Sequence, residues 1–141
     1  MEGAQVKYLL DTATWLNHAM LPGVIPPSIR RLIDEDEAKG LCSVSLLEAA
    51  ILHRLGRLGL RGSLDEFFRQ AITQDVEVLE LTPAVAAATN ALPRDFQGDP
   101  FDRTIAATAK VLRLTLITPD KRIRDSGFCP TEYYPFKPST P

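Results

Sequence analysis

The sequence is poor in the residues on which disulfide scaffolds and soft metal sites depend. Only two of its 141 residues are cysteine and two are histidine. Cys42 and Cys129 lie in unrelated contexts, and neither these nor His18 and His53 have a partner at metal-ligand spacing. This scarcity excludes a small disulfide-stapled fold, argues against zinc and favours a reduced, cytoplasmic protein.

Long apolar runs and several common motifs are also missing. No segment approaches the roughly 18 consecutive apolar residues of a membrane helix. The N-terminal sequence MEGAQVKYLLD has neither the basic nor the long apolar region of a signal peptide. The chain also lacks the glycine pairs of a dinucleotide site, a phosphate-binding P-loop, an HExxH pair and a GxSxG turn. Most enzyme classes built on an α/β sheet are therefore unsupported.

The overall composition is typical of a globular domain with a buried core, with 45% hydrophobic and 24% charged residues. We expect a single domain over residues 1–141, with its core at about 6–125 and a proline-rich tail at 130–141. The formal net charge is -2 at pH 7. Any nucleic-acid partner must therefore be held by a local basic patch.

Short apolar runs alternate with helical segments through nearly the whole chain. Strands are predicted at residues 6–10, 41–44, 76–81 and 115–118, with one more short strand near 133–134. A helical stretch follows the first strand, and further helices are predicted at about 28–39, 45–57, 63–74, 82–92 and 99–113. This alternation predicts a parallel sheet flanked by helices, a three-layer α/β/α sandwich.

Acidic residues occur where the predicted strands end or the following helices begin. Asp11 directly follows a strand, Asp120 comes two residues after another, and Glu48 lies in the first turn of a helix. Asp99 and Asp102 are three residues apart and so share one helix face. In open parallel sheets these positions meet at one edge, where carboxylates repel each other unless a hard cation offsets their charge. We therefore predict a site for one or two Mg²⁺ or Mn²⁺ ions rather than Zn²⁺.

Several of these acids also have a purely structural explanation. Glu48 has the spacing of a capping box, Asp99 precedes a proline as an N-cap does, and Asp102 can favour the helix dipole. Asp11 and Asp120 are harder to explain in this way, because an acid at the end of a buried strand loses solvation unless something pairs with it.

Four short motifs occur in order along the chain: LLDT at residues 9–12, SxSxxE at 43–48, GDPFDRxIAA at 98–107 and ITxD at 117–120. Together they resemble the PIN-domain ribonucleases. The DPFDR segment resembles, more narrowly, the VapC-type toxins of bacterial and archaeal type II toxin–antitoxin pairs. The resemblance extends from Val6 to about Asp125. One position departs from the pattern, because many members have Asn two residues after the first Asp, where this chain has Ala13.

The resemblance implies a compact α/β/α fold with a mostly parallel, five-stranded sheet. It also implies Mg²⁺- or Mn²⁺-dependent endonucleolytic cleavage of RNA that leaves 5′-phosphate and 3′-hydroxyl ends. Carried over by motif, the acidic set that binds metal and performs catalysis is Asp11, Glu48, Asp102 and Asp120. Asp99 matches a frequent extra acid, and Thr12 and Thr118 match hydroxyl positions that orient the acids or a metal-bound water. A homodimer and a small VapB-like antitoxin, whose tail blocks the acidic pocket, are also implied.

Basic and apolar side chains near Glu48 are candidates for contacts with RNA and with a partner protein. Arg54, Arg57 and Arg61 have the spacing of one helix face and either track phosphates or form a solvated face. Further candidates for phosphate contacts are Arg103, Lys121, Arg122 and Arg124. The apolar residues that form either a groove for the antitoxin tail or ordinary core are Leu55, Leu58 and Leu60.

Two other functions remain as alternatives to a metal-dependent endoribonuclease toxin. One is a catalytically silent PIN-like module that binds RNA or protein, which the presence of every ligand position disfavours. The other is a phosphatase of the haloacid dehalogenase type, suggested by the acid after the first strand. That chemistry needs a second acid two residues later, where this chain has Ala13.

Overall fold

Five parallel strands form one sheet in the computed structural model, which describes residues 5–35, 38–94, 96 and 98–135. The strands are β1 (Tyr8–Leu10), β2 (Lys39–Cys42), β3 (Val76–Leu79), β4 (Thr115–Thr118) and β5 (Thr131–Tyr133). Their order is β3-β2-β1-β4-β5, with β1 at the centre and every neighbouring pair parallel. Each lies where the sequence predicts a strand, with its ends shifted by at most two residues.

Helices cover both faces of this sheet. In the described part of the chain they are α1 (Thr12–Met20), α2 (Pro27–Glu35), α3 (Ser43–Arg54), α4 (Leu64–Ala71), α5 (Pro83–Ala88), α6 (Pro100–Leu112) and α7 (Lys121–Ser126). Short 3₁₀ turns at Pro22–Val24 and Thr89–Ala91 connect some of them. None of the helices among the described residues is long and apolar enough to cross a membrane.

Two apolar clusters fill the space on either side of the sheet. Leu10 of β1 and Ile117 of β4 pack in the cluster that includes α1, α2 and α4, whereas Leu9 and Leu116 pack in the cluster that includes α6 and α7. All four side chains are at most 1% exposed. Because successive residues of a strand point to opposite faces, an unbroken apolar run suits a strand buried on both sides. The predicted α/β/α sandwich is confirmed.

Three helices begin at the capping residues that the sequence indicates. The side-chain oxygens of Ser63, Thr82 and Asp99 each accept a hydrogen bond from the backbone N–H three residues later, at 3.1, 3.2 and 2.9 Å. Each bond satisfies one of the N–H groups that the first turn of a helix leaves without a partner. At Asp99 the same interaction sets the position of α6 and of the acids at its start.

The start of α3 differs from the prediction. The helix begins at Ser43, after the extended residue Cys42, and not at Ser45. Ser45 is therefore already helical and buried, and its hydroxyl lies 2.7 Å from that of Thr12. The predicted capping box of Ser45 and Glu48 is wrong, so Glu48 is left without a capping role.

The end of α3 also differs from the prediction. The helix ends at Arg54 rather than at about Arg57. Gly56 follows with φ of 72°, and the N–H groups of Gly56 and Arg57 donate to the carbonyls of His53 and Leu52 at 3.0 and 2.8 Å. These two bonds make a Schellman motif, which terminates a helix. The predicted row of arginines on one helix face is therefore wrong, although Arg54 and Arg57 are both exposed.

The helix predicted at 28–39 is α2, which ends at Glu35, while residues 36–37 lie outside the described residues, as do residues 136–141 of the predicted tail. Lys39 begins β2 instead of ending a helix, and it is only 3% exposed. Its ammonium group donates to the carbonyl of Ile33 at 2.6 Å and lies 2.6 Å from a carboxylate oxygen of Asp75. These contacts offset the cost of burying a charge.

Arg113 ends α6 in the left-handed conformation, with φ of 57° and ψ of 47°. The N–H of Leu114 donates to the carbonyl of Ala109 at 2.9 Å, as in a Schellman motif that normally has glycine at the left-handed position. We expect Arg113→Gly to raise the free energy of unfolding by about 1 kcal/mol, because a side chain is strained there. Urea denaturation measures the change, with Arg113→Ala as a control that retains the strain. A Gly variant no more stable than the Ala variant would contradict this account.

Candidate active site

An open cleft of 440 Å³ lies beyond the carboxyl ends of β1 and β4 and contains all five acids expected from the sequence. Its lining residues are Asp11, Thr12, Ala13, Glu48, Asp99, Asp102, Pro119, Asp120 and Arg122. The acids arrive from four separate segments of the chain, as the carboxyl ends of parallel strands require. Ala13 contributes no polar side-chain atom to this cleft.

One hydroxyl group connects the acids that follow the two central strands. Asp11 continues β1, and its N–H donates to the carbonyl of Ile117 at 3.1 Å. The hydroxyl of Thr118 donates to Asp11 Oδ2 at 2.5 Å and accepts from the N–H of Asp120 at 2.9 Å. Thr118 is fully buried, so this link holds the two acids in a fixed relation. The orienting role that the motif implies for Thr118 stays a prediction, and these two hydrogen bonds are the contacts through which it would act.

Glu48 reaches the cleft from α3, one helical turn after Ser45. The contact between the hydroxyls of Thr12 and Ser45 holds the start of α1 against α3. Residues three apart share a helix face, so Glu48 points to the same side as this contact. Its Oε1 atom is buried and has no hydrogen-bond partner among the described residues. A buried carboxylate oxygen without a donor is costly, so this oxygen of Glu48 does not contribute to local stability.

A tight approach before α6 positions the remaining two acids. A Cβ atom on Gly98 would lie 2.3 Å from the Phe96 ring and 2.9 Å from Cβ of Asp102. The guanidinium group of Arg103 donates to the carbonyl of Phe96 at 2.7 Å and lies over its ring. Arg103, expected as an RNA contact, is thus also engaged in holding this loop. Asp99 caps the helix, and the carboxylate of Asp102 faces the cleft.

Residues 8–128 of the chain match the model of the PIN domain. That match covers well over half of the sequence. The chain belongs to the PIN-domain family. The family expected from the four short motifs is thereby confirmed.

A sequence relative of this PIN domain is Ribonuclease VapC22 of Mycobacterium tuberculosis. The two are 35% identical over 116 residues, which is 82% of this chain and 88% of that protein. The aligned region therefore extends over most of both proteins, and the likeness is not confined to a short motif.

Several solved structures, a toxin–antitoxin complex among them, share the fold of this PIN domain. DNA-bound VapBC from Salmonella typhimurium has a TM-score of 0.70 and 17% identity, over 92% of this chain and 98% of that one. A toxin–antitoxin complex from Klebsiella pneumoniae has a TM-score of 0.65 and 17% identity, over 92% and 100%. FitAcB from Neisseria gonorrhoeae has a TM-score of 0.62 and 24% identity, over 91% and 97%. At these identities the likeness concerns the fold.

Burial and mutual repulsion raise the pKa of three carboxyl groups in the PIN-domain cleft. Burial raises the pKa of Asp11 to about 6, against the lowering effect of the Thr118 hydrogen bond. Burial also raises the pKa of Asp102 to about 7, and the negative charges of Asp99, Asp11 and the other cleft acids add to the increase. The pKa of Glu48 is raised as well, first by burial. The cleft therefore holds more negative charge than its surroundings offset.

The donor chemistry of the cleft fits a hard divalent cation. Its described lining offers carboxylate and hydroxyl oxygens and no sulfur or imidazole, which suits Mg²⁺ and Mn²⁺. The unpaired Oε1 of Glu48 provides an oxygen without a competing donor. In the part of the chain described, no three acidic, histidine or cysteine side chains form a ready-made ligand set. An ion bound here would have to draw together carboxylates that otherwise repel each other.

A second groove, of 510 Å³, lies beside the acidic cleft and shares Thr12, Ala13 and Glu48 with it. The rest of its lining is mostly apolar and comes from α1, α3 and the segment after α3: Leu16, Asn17, Met20, Leu21, Leu52, Arg57, Leu58 and Gly59. Of the leucines considered from the sequence, Leu58 lines this groove, and Leu60 packs against the core. Leu55 is 56% exposed.

One feature of the cleft was not predicted from the sequence. Residues 121–126 form the short helix α7, whose N-cap is Asp120, with Oδ1 accepting from the N–H of Arg122 at 2.9 Å. The side chain of Arg122 then turns back to Asp120 and Asp102. The available signals were an aspartate two residues before a basic side chain and Gly127, which ends the helix with φ of 63°.

The raised pKa values predict how the stability of the metal-free protein depends on pH. Asp11 and Asp102 bind protons more tightly in the folded state than at their ordinary pKa of 3.8. The folded state therefore holds more protons between about pH 4 and 7, and the free energy of unfolding falls as the pH rises through that window. Urea denaturation in the presence of a chelator at several pH values measures this fall.

Asp102→Asn is expected to flatten this pH dependence. It removes a repelled carboxylate, so the metal-free variant is stabilised by about 1–2 kcal/mol at neutral pH, after allowance for partial solvent screening. Asp125→Asn, at an exposed acid outside the cleft, serves as the matched control. Identical pH profiles for wild type and Asp102→Asn would show that the cleft carboxylates are not destabilising.

Proposed function

We propose that this PIN-domain protein is a Mg²⁺- or Mn²⁺-dependent endoribonuclease and the toxin of a toxin–antitoxin pair. The observation that carries the proposal is the convergence of carboxylates from four chain segments on one open cleft. The relationship to a protein named as a ribonuclease supports RNA as the substrate. The fold shared with toxin–antitoxin complexes supports the role as a toxin. We propose that it acts on RNA in the cytoplasm.

The residues that would hold the metal are the cleft acids Asp11, Glu48, Asp102 and Asp120, with Asp99 at the rim. When bound, a divalent cation supplies positive charge that activates water and stabilises the leaving oxygen. Asp11 is held by the buried Thr118 hydroxyl and suits a ligand whose position stays constant. Asp102 has a pKa raised to about 7, so cation binding at neutral pH is coupled to release of a proton from this group.

The proposed reaction is hydrolysis of a phosphodiester bond. The oxygen of water bonds to phosphorus, the bond from phosphorus to the 3′ oxygen breaks, and that oxygen takes up a proton. Glu48 presents an oxygen without a donor and is our candidate to accept the hydrogen bond of the attacking water. Thr12 lies beside Glu48 at the floor of the cleft and is our candidate to orient the same water.

Basic residues around the cleft are proposed to hold the RNA. Arg57 lines the groove that adjoins Glu48, and Arg54 is exposed at the end of α3. Arg103 flanks Asp102 and is partly buried against Phe96. Because the net charge of the chain is -2, such local groups must supply the attraction for phosphate.

The apolar groove is proposed to receive the tail of a small antitoxin. Its lining is mainly apolar and it opens into the acidic cleft through Thr12, Ala13 and Glu48. A segment lying in it would reach the acids directly and exclude RNA. We also propose a homodimer, which would cover apolar side chains that remain exposed, such as Leu47 and Leu55.

Replacing one acid separates catalysis from binding. Asp102→Asn is expected to lower the rate of RNA cleavage with Mn²⁺ by more than about a hundredfold, because a proposed metal ligand loses its charge. It should also relieve the growth arrest that expression of the wild-type protein causes in a bacterial host. Asp99→Asn keeps a capping oxygen for α6 and is expected to lose less activity.

If the protein is instead a catalytically silent binding module, Asp102→Asn should not relieve the growth arrest. If Asp102→Asn is folded and arrests growth as strongly as wild type, the arrest arises from binding, and the nuclease proposal fails. Circular dichroism and thermal melting of both variants show whether they are folded. Calorimetric titration with Mn²⁺ should show weaker binding for Asp11→Asn and Asp120→Asn than for wild type, and equal affinities would remove the metal from the proposal.

Arginine replacements test the RNA-binding surface without altering the acids. Arg54→Ala and Arg57→Ala should each weaken RNA binding and lower the slope of log affinity against log salt by about one phosphate contact. Binding is measured in chelator so that no cleavage occurs. Arg31→Ala, at an exposed position of α2, is the control. An unchanged slope would show that the arginines are only a solvated surface.

A further inference from the structure

The guanidinium group of Arg122 bridges two acids that come from different elements. Its Nη2 lies 3.0 Å from Oδ2 of Asp120 and 3.3 Å from Oδ2 of Asp102. Asp120 precedes α7, whereas Asp102 lies in the first turn of α6. The contact with Asp120 is local, since this acid caps the short helix that contains Arg122. The contact with Asp102 spans 20 residues of sequence and joins the two sides of the cleft.

The bridge is important because it places a positive charge next to the carboxyl groups of the cleft. Of the described residues that line the cleft, Arg122 alone carries a positive charge, opposite five carboxyl groups. Arginine does not lose its proton in proteins. Its charge therefore leaves the carboxylates only if the side chain moves.

The exposure of the three side chains shows which one can move. The side chain of Arg122 is 53% exposed, whereas those of Asp102 and Asp120 are 18% and 16% exposed. The sheet and the helix starts hold the two acids in place, and Arg122 is the solvent-exposed partner of both. An ion pair as exposed as this one is weak, so a stronger ligand of the carboxylates can displace Arg122.

We propose that Arg122 is a built-in counter-cation that holds Asp102 and Asp120 in the metal-free protein and leaves both when a divalent ion binds. This inference rests on the proposed function, because it concerns the same acids. Arg122 thereby stabilises the metal-free cleft and lowers its affinity for the ion. It is a positioning residue, and it acts on the acids rather than on the substrate.

The size of the effect follows from the charges. Binding of the ion must displace Arg122 from both carboxylates, and the wild type loses this exposed ion pair on binding. Removing the arginine charge is therefore expected to tighten Mn²⁺ binding by up to about fivefold. Lysine keeps the charge, and in the wild type a single nitrogen, Nη2, contacts both carboxylates. Arg122→Lys should therefore bind Mn²⁺ with nearly the affinity of the wild type.

Calorimetric titration with Mn²⁺ tests this expectation, at a pH above the raised pKa of Asp102. The variants are Arg122→Gln, Arg122→Lys and the control Arg124→Gln. Arg124 lies on the same helix, but it pairs with Asp125 and stacks on Tyr133. The expected result is tighter binding by Arg122→Gln alone. Equal or weaker binding by Arg122→Gln, while the wild type binds, overturns this inference and leaves the proposed function standing. Absence of Mn²⁺ binding in every variant overturns both.

Thermal melting in chelator examines the bridge without any metal. Arg122→Gln should lower the melting temperature by about 2–4 °C, since the two acids then repel each other without a counter-charge. In an Asp102→Asn background the same replacement should cost about half as much, because one partner of the bridge is already neutral. A melting temperature unaffected by Arg122→Gln, or an equal loss in both backgrounds, overturns the counter-cation.

Discussion

Parallel pairing of β1 with β4 is the constraint on which the site depends. Leu10 lies opposite Ile117 in the register of the two strands, so the residues that follow them leave the sheet at one edge. The pairing continues one residue further through the N–H of Asp11, and the Thr118 hydroxyl then joins this acid to the segment of Asp120. If the strands paired in opposite directions, one acid would lie at the far end of the sheet.

The acids at this edge oppose folding, and the apolar layers compensate for them. Asp11 follows immediately after Leu9 and Leu10, which are buried on opposite faces of the sheet. The residues that stabilise the fold and the acid that opposes folding are thus adjacent in sequence. In a fold whose other residues all favour one structure, buried polar groups that lower stability are expected at functional sites.

The local sequence pattern predicts the sheet and most residues of the cleft, but it does not predict contacts between segments that are distant in sequence. Strands buried on both faces leave unbroken apolar runs, and the acids that follow them are visible by position alone. The true start of α3 depends on Ser45 packing against α1, which no local motif encodes. Its end depends on Gly56, whose positive φ outweighs the arginine spacing that favoured a longer helix. The helix α7 is too short to show periodicity, and the bridge from Arg122 to Asp102 exists only once two distant segments meet.

The central position of β1 has a consequence for how the protein is made. Its partner β4 consists of residues 115–118, and Asp120 follows later still, so both are synthesised more than a hundred residues after Asp11. Translation proceeds from the N-terminus, so β1 leaves the ribosome more than a hundred residues before its partner strand β4. Until then the acids at the two ends of this span have no common edge. A ribosome-bound chain therefore has no assembled cleft until β4 has emerged, and a product that stops short of residue 115 never acquires one.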